Sequence, residues 1–388
     1  MKNQIAILGS TGSIGKTTFN IIKKDNKNFK VVLLSTNKNY KEILKQINEV
    51  QVQNIIVHDE KTYSLLKKKL NKKKIKIFNN ISIFKKNFSK KIDYTMCAIS
   101  GLAGLESTLS AIEFSKKVAV ANKESLICAW NLIEKKLKKY KTEFVPVDSE
   151  HFSIMSLIDR SSKLAIDKIF ITASGGPFLN LSLRKFGKIN PQKAIRHPNW
   201  NMGKKISVDS ATLMNKVFEV IEAHRIFNID LNKFEILIHP KSYVHAIVKF
   251  NNGLTKILIH DTNMMIPIFN TIYVNKNKRL KSKAIDINNL NNLEFSSVDK
   301  IRFPSIKLIK DIPEENSLYE TVLVSANDEL VELFLQNRIK FTDIVKNLNK
   351  ICKMSTFKKF KKITPKNFRQ IIDLNEYVRL KTRTFSIW

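Results

Sequence analysis

The sequence of 388 residues predicts a multidomain chain of α/β and α+β class, and three observations carry that prediction. Up to about residue 148, short β-rich runs alternate with helical stretches; after Glu150, glycine-containing loops lead into closely spaced strands; beyond about residue 300, apolar residues recur at helical spacing. The division that follows is 1–148 for an alternating α/β domain, 149–275 for a central α+β domain with a largely antiparallel sheet, 276–300 for a polar linker and 301–388 for a small helical domain.

In order along the chain, "IAILG", "KVVLLS", "NIIVH", "YTMCAIS", "KVAVANK" and "EFVPVD" read as strands of βαβ units on a parallel sheet. "SATLMNKVFEVIEAHRIF" reads as one helical segment, and "FEILIHP", "YVHAIVKF" and "LTKILIHD" as strands joined by short turns such as "NNG". "ANDELVELFLQNRI" and "NFRQIIDLNEYVRLKTRTF" have helical spacing, with Pro365 near the start of the last helix.

Composition bounds the function. A chain of this length with 43% hydrophobic residues can bury a sizeable core. The formal charge of +34 raises a polyanion as partner. The lysine excess, however, comes with asparagine and isoleucine along the whole length, which reads as surface composition rather than a nucleic-acid patch. A nucleic-acid module would have to show steeply salt-dependent binding. No apolar run is long enough to span a bilayer, and the opening "MKNQIAILGS" reads as a strand rather than a targeting segment, so a cytoplasmic protein is expected. Cys97, Cys128 and Cys352 sit in apolar surroundings without paired spacing and read as reduced core thiols.

"ILGSTGSIGKTTFNII" places glycines 9, 12 and 15 between a strand and a helix, where they permit a tight turn and leave helix N–H groups for a phosphate. The alternative is a P-loop-type nucleotide-binding enzyme, with Lys16 on ATP, because "STGSIGKT" nearly matches GxxxxGK[ST]. Against it, Ser10 stands where the first glycine is required, and His58 interrupts the strand that would present Asp59. At the end of the second strand "STNKN" has no acid to hold a ribose hydroxyl, which favours NADP over NAD and makes Lys38 the candidate for the 2′-phosphate.

"VPVDSEHF" puts Asp148 and Glu150 at the end of an apolar run; in an extended chain both would share one face, with Ser149 on the other. Two neighbouring carboxylates call for a positive partner, and a divalent cation such as Mg²⁺ or Mn²⁺ suits hard oxygens. On a helix Asn215, Lys216 and Glu219 share a face, so Glu219 can complete the site; spacing alone reads it equally as a solvated acid paired to a lysine. Ser174, Ser210, Asn215 and Lys216 are of the types that hold a phosphate, although serine and asparagine at helix starts are mostly caps.

Seven motifs in order, "GSTGSIG", "ANKES", "PVDSEH", "SGGPF", "RHPNWNMG", "ISVDSATLMNK" and "IHPKSYVH", resemble those of the 1-deoxy-D-xylulose 5-phosphate reductoisomerase family over essentially the full length. The resemblance implies a Rossmann-like NADPH-binding domain followed by a catalytic domain. It implies NADPH contacts at Thr11, Gly12, Ser13 and Ile14, at Lys38 and Asn39 near the 2′-phosphate, and at Asn122, Glu124 and Gly203. It also implies Asp148, Glu150 and Glu219 as ligands of one divalent cation, and substrate contacts at Lys123, Ser149, Glu150, Ser174, His197, Ser210, Asn215, Lys216 and Glu219. Lys123, Asp148, Glu150 and Glu219 are the implied catalytic set, and Trp200 and Met202 belong to an implied flexible lid. The implied reaction is rearrangement of 1-deoxy-D-xylulose 5-phosphate and reduction by NADPH to 2-C-methyl-D-erythritol 4-phosphate, an early step toward isoprenoid precursors, in a homodimer. "EAHRIF" departs from the "EARWLF"-like pattern of the family, and Leu179 stands where arginine is usual.

Overall fold

Ile5 to Leu8 are fully buried, and a strand that is apolar on both faces belongs in the middle of a parallel sheet covered on both sides. The computed structural model describes residues 2–81, 90–158, 165–200, 202–274, 277–284 and 286–387. In it β1 (Asn3–Leu8) lies at the centre of a seven-stranded sheet with β2 (Phe29–Thr36), β3 (Asn54–Val57), β4 (Lys76–Phe78), β5 (Ile92–Cys97), β6 (Ser115–Val120) and β7 (Glu143–Pro146). The order is β4-β3-β2-β1-β5-β6-β7 and every pairing is parallel. The sheet grows in one direction from β1 to β4 and in the other from β5 to β7, so the switch point falls at the C-terminal end of β1, beside the glycine loop. The six predicted strands are all present; β4, only three residues long, carries too short a pattern to be read.

The chain forms two compact units. The first comprises Met1–Ser125, Asn131–Phe152 and Met264–Lys281, and the second Leu126–Trp130, Ser153–Asn263 and Ser282–Trp388. Helix Met265–Ile272 returns to the first unit, where Tyr94 Oη and Thr271 Oγ1 lie 2.9 Å apart and the Tyr273 hydroxyl donates to Asp25 at 2.9 Å.

The second unit holds a five-stranded sheet built from β8 (Ile166–Ala173), β9 (Phe234–Ile238), β10 (Val244–Phe250), β11 (Thr255–Ile259) and β12 (Ser296–Ser297), in the order β11-β10-β8-β9-β12. All its pairings are antiparallel except β8 with β9. Within the stretch read as linker, the described residues contain the short helix Ile287–Asn291 as well as β12. The segment read as one helix is two, Lys204–Ala211 and Met214–Phe227, because Leu213 adopts the left-handed conformation at φ 62°. Thr212 helps end the first: its hydroxyl donates to Val208 O and Asp209 O, both at 3.2 Å. Among the described residues, no helix is long and apolar enough to cross a membrane. Cys97, Cys128 and Cys352 are buried, and burial pushes the Cys97 and Cys352 thiols up to about 12.

Candidate active site

The glycine loop is shaped by contacts that no side chain would permit. Gly9 sits at φ +82°, and a Cβ on Gly15 would fall 2.2 Å from Gly9 O, so the first turn of helix Ser13–Lys24 lies directly against the end of β1. Thr11 Oγ1 is 3.0 Å from Thr36 Oγ1, while Gly12 and Ser13 are exposed with the helix start behind them. Gly12 has no side chain to cap that helix and the first turn carries no acid, so an anion meets unopposed N–H groups there. The P-loop reading fares poorly: Ser10 is fully buried and donates to Ser35 O, Lys16 pairs with Glu42 at 3.6 Å, and Asp59 caps helix Glu60–Lys69 by accepting from Thr62 N at 2.9 Å.

Lys38 is exposed at the end of β2. Asn39 caps helix Tyr40–Glu49 through Glu42 N at 3.2 Å. Asn122 is spent on its own surroundings: it caps helix Lys123–Tyr140 through Ser125 N at 2.8 Å and donates to Ile99 O and Gly101 O. Glu124 follows in that helix, half-buried.

Lys123 and Asp148 each come just after a strand. β6 and β7 are neighbours with Val120 opposite Pro146, so the residues past their C-terminal ends project at the same end of the sheet. Lys123 Nζ lies 3.2 Å from Asp148 Oδ2, and His151 Nδ1 lies 3.4 Å from Asp148 Oδ1. "DSEH" is not extended, as the alternation argument assumed. Asp148 precedes helix Ser149–Leu157, accepts the Glu150 N–H at 3.2 Å, and gives its carbonyl to Phe152 N at 2.8 Å. The reason is helix entry: an acid ahead of the first turn accepts backbone N–H groups that have no intrahelical partner. Ser149 therefore does not face away from Glu150 but donates to its Oε2 at 2.6 Å, and Glu150 is only 9% exposed.

In the second unit Glu219 is 1% exposed, which removes the reading of a solvated acid; the lysine partner is present, with Lys216 Nζ at 2.6 Å from Oε2, and Asn215 donates to Oε1. Ser174 and His197 form a second group. Backbone N–H groups of Asn199 and Trp200 donate to His197 Nδ1 at 3.2 and 3.0 Å, which places the ring proton on Nε2, 3.0 Å from Ser174 Oγ. Ser174 Oγ also accepts from Gly176 N at 3.1 Å. Burial, and then the neighbouring Lys216 ammonium, push His197 down to about 4. Gly175 and Gly176 both have positive φ, and a Cβ on Gly176 would meet Ser210 O at 3.0 Å, so this turn packs closely on the helix carrying Ser210. Gly203 begins that helix.

Sequence reasoning missed Asn199. Its amide donates to Pro240 O at 2.6 Å and Ser242 Oγ at 2.9 Å, fixing "HPNW" to the loop after β9, while Trp200 meets His245 edge-on at 6.1 Å. An asparagine between proline and tryptophan was the available signal.

Among the described residues, the side chains able to ligate a metal are the Asp148 and Glu150 carboxylates and the His151 imidazole in the first unit, and the Glu219 and Glu222 carboxylates in the second. Carboxylate oxygens suit a hard cation, and an imidazole is a ligand that Mg²⁺ does not favour.

A parallel dinucleotide-type sheet with its glycine loop at the switch point, and a Lys123–Asp148 pair past the ends of β6 and β7, defines a class of protein, the nucleotide-dependent oxidoreductases. Comparison with known proteins narrows the class. Residues 5–130 match the family model of 1-deoxy-D-xylulose 5-phosphate reductoisomerase, residues 144–227 its C-terminal domain, and residues 260–381 the model of the DXP reductoisomerase C-terminal domain. The reductoisomerase of Pelagibacter ubique is 59% identical over 99% of this chain and 100% of its own, and that of Zymomonas mobilis 34% identical over 97% and 96%. A solved structure of the Zymomonas mobilis reductoisomerase in complex with NADPH has a TM-score of 0.88 at 32% identity, covering 99% of both chains. One in complex with NADPH, fosmidomycin and magnesium has a TM-score of 0.90 at 29% identity, covering 98% of both. The chain belongs to the 1-deoxy-D-xylulose 5-phosphate reductoisomerase family.

Proposed function

We propose that Asp148, Glu150 and Glu219 hold one divalent cation, Mg²⁺ or Mn²⁺, in an enzyme that rearranges 1-deoxy-D-xylulose 5-phosphate and reduces it with NADPH to 2-C-methyl-D-erythritol 4-phosphate. The observation that carries this is the burial of Glu150 and Glu219 in a chain of this family: carboxylates are buried where a cation or ion pair repays their desolvation. The residues fit the cation, since the donor set is three hard oxygens of the kind Mg²⁺ takes. When bound, the cation polarises substrate oxygens and NADPH supplies the hydride.

The chain's own residues do the rest. Ser174, Ser210, Asn215 and Lys216 bind the substrate phosphate, with the neutral His197 orienting Ser174 through the 3.0 Å contact. Lys123, already paired with Asp148, neutralises charge developing on the substrate, and Ser149 contacts it beside Glu150. Thr11, Gly12, Ser13 and Ile14 hold the NADPH pyrophosphate, Lys38 and Asn39 the 2′-phosphate, and Glu124 and Gly203 further parts of the cofactor, while Asn122 supports it by fixing the 99–101 loop. Trp200 and Met202 close over the substrate, excluding water. In the domain scheme of this reading, 1–148 binds cofactor, 149–275 binds metal and substrate, 276–300 links and 301–388 is the helical domain.

The test is NADPH oxidation with 1-deoxy-D-xylulose 5-phosphate, with Mg²⁺ or Mn²⁺ supplied or chelated. Metal-dependent turnover is the expected result; a folded sample that is inert with metal, or binds ATP and ignores NADPH, overturns the reading. A cytoplasmic homodimer completes the proposal. It draws support from β11, an edge strand with exposed Ile257 and with exposed Leu254 just before it, and light scattering that returns a single-chain mass would remove the dimer.

A further inference from the structure

Helix Leu318–Leu335 buries an unusual number of polar side chains. Glu320, Thr321, Ser325 and Asn327 are fully buried and Glu329 is 1% exposed. Two of them reach the helices that carry the proposed phosphate donors. Glu320 Oε1 pairs with Arg225 at 2.5 Å, at the far end of the helix bearing Asn215 and Lys216. Arg225 also donates to Pro313 O at 2.7 Å and Glu315 O at 3.1 Å. Two turns further on, Asn327 Nδ2 donates to Asp209 Oδ1 at 2.8 Å, and Asp209, 1% exposed, is the residue before Ser210.

Asp209 is held on both oxygens. Its Oδ2 lies 2.9 Å from Lys205 Nζ, and the same ammonium lies 3.0 Å from Asp328. A leucine at 327 would fill similar space without burying an amide, and buried ionic groups stabilise a fold poorly compared with apolar packing. What they supply is direction, since a buried carboxylate cannot leave its donors without an unpaired charge. The turn packed on Ser210 leaves little slack there, because Gly176 approaches Ser210 O closely.

We propose that Asp209 and Asn327 are positioning residues for the substrate phosphate: the helix Leu318–Leu335 sets the place of Ser210 through this pair. The inference rests on the reading of Ser210 as a phosphate donor. It gives the C-terminal helical region a part in substrate recognition, without any contact of its own with the substrate.

The experiment compares S210A, N327D, N327A, and the exchanged pair D209N with N327D in one chain, reading substrate KM, NADPH KM, kcat and melting temperature. N327D sets two carboxylates face to face, while the exchange restores a donor opposite an acceptor in the reverse sense. S210A, N327D and N327A are expected to raise substrate KM about tenfold, with NADPH KM within about twofold and the exchange returning substrate KM to within about threefold. If N327D does not fold, N327A carries the same comparison. An effect of S210A with none from a folded Asn327 variant, or a change in melting temperature alone, overturns the positioning role. An S210A enzyme with unchanged substrate KM shows instead that Ser210 is not a phosphate donor, and this inference falls with it.

Discussion

Two lysine–carboxylate pairs, Lys123 with Asp148 and Lys216 with Glu219, contain the same groups and are made in different ways. The second needs only a helix, because residues three apart share a face. The first needs a sheet: its members are 25 residues apart in sequence and meet because β6 and β7 lie side by side and end together. The Lys123 pair is thus as exact as the strand register behind it, whereas the Lys216 pair is as rigid as one helical turn.

The largest effect should come from the acids. Glu150→Gln and Glu219→Gln should each lower turnover about a thousandfold, with NADPH binding followed by fluorescence unchanged. One centre predicts similar losses; if either variant keeps turnover within about tenfold of the parent, the two acids do not share one cation. The lysines separate the pairs next. Lys216→Met should raise substrate KM about thirtyfold with kcat little affected, because it removes a phosphate partner, and Lys123→Met should lower kcat about a hundredfold at near-parental KM. The opposite pattern would exchange their roles.

The smallest effect concerns His197. Its ring is held neutral down to about pH 4 in the free protein, against an ordinary value of 6.5. Because the folded state disfavours the charged ring, the stability this group contributes is present above pH 6.5 and is lost as pH falls toward 4. An NMR titration of the ring should show no midpoint near 6.5, and a midpoint there would mean that neither burial nor Lys216 acts on it. The Lys216→Met protein should titrate higher, whereas Lys123→Met should leave the midpoint in place.

Strands that are continuous apolar runs were legible in the sequence, as was the glycine loop, because each leaves a local mark. The break at Leu213 left none. A leucine in helical register gives no sign of a left-handed turn, which is usually marked by glycine or asparagine. The form of "VPVDSEH" was misread for a related reason: alternation and helix entry both fit so short a stretch, and only the Asp148 contact with the Glu150 N–H decides between them. Asp148 and Glu150 suggested a cation from their proximity alone, whereas most of the proposed substrate and cofactor roles came through ordered motifs; spacing left Glu219 open, and its burial speaks only against a solvated acid. Asn327 and Asp209 were beyond reach, since a contact across 118 positions has no signature in one chain. Arg225 was visible only within a departure from the family pattern; in the fold it ties down the 313–315 loop and meets Glu320.

The three buried thiols have a practical consequence. With Cys97 and Cys352 pushed up to about 12, thiolate is scarce at neutral pH, and burial shields all three sulfurs from a bulky reagent. The chain is therefore silent toward maleimides while folded. One cysteine introduced at a surface position would be labelled alone, and a spectroscopic reporter could be placed on the native sequence without first removing any residue from its core.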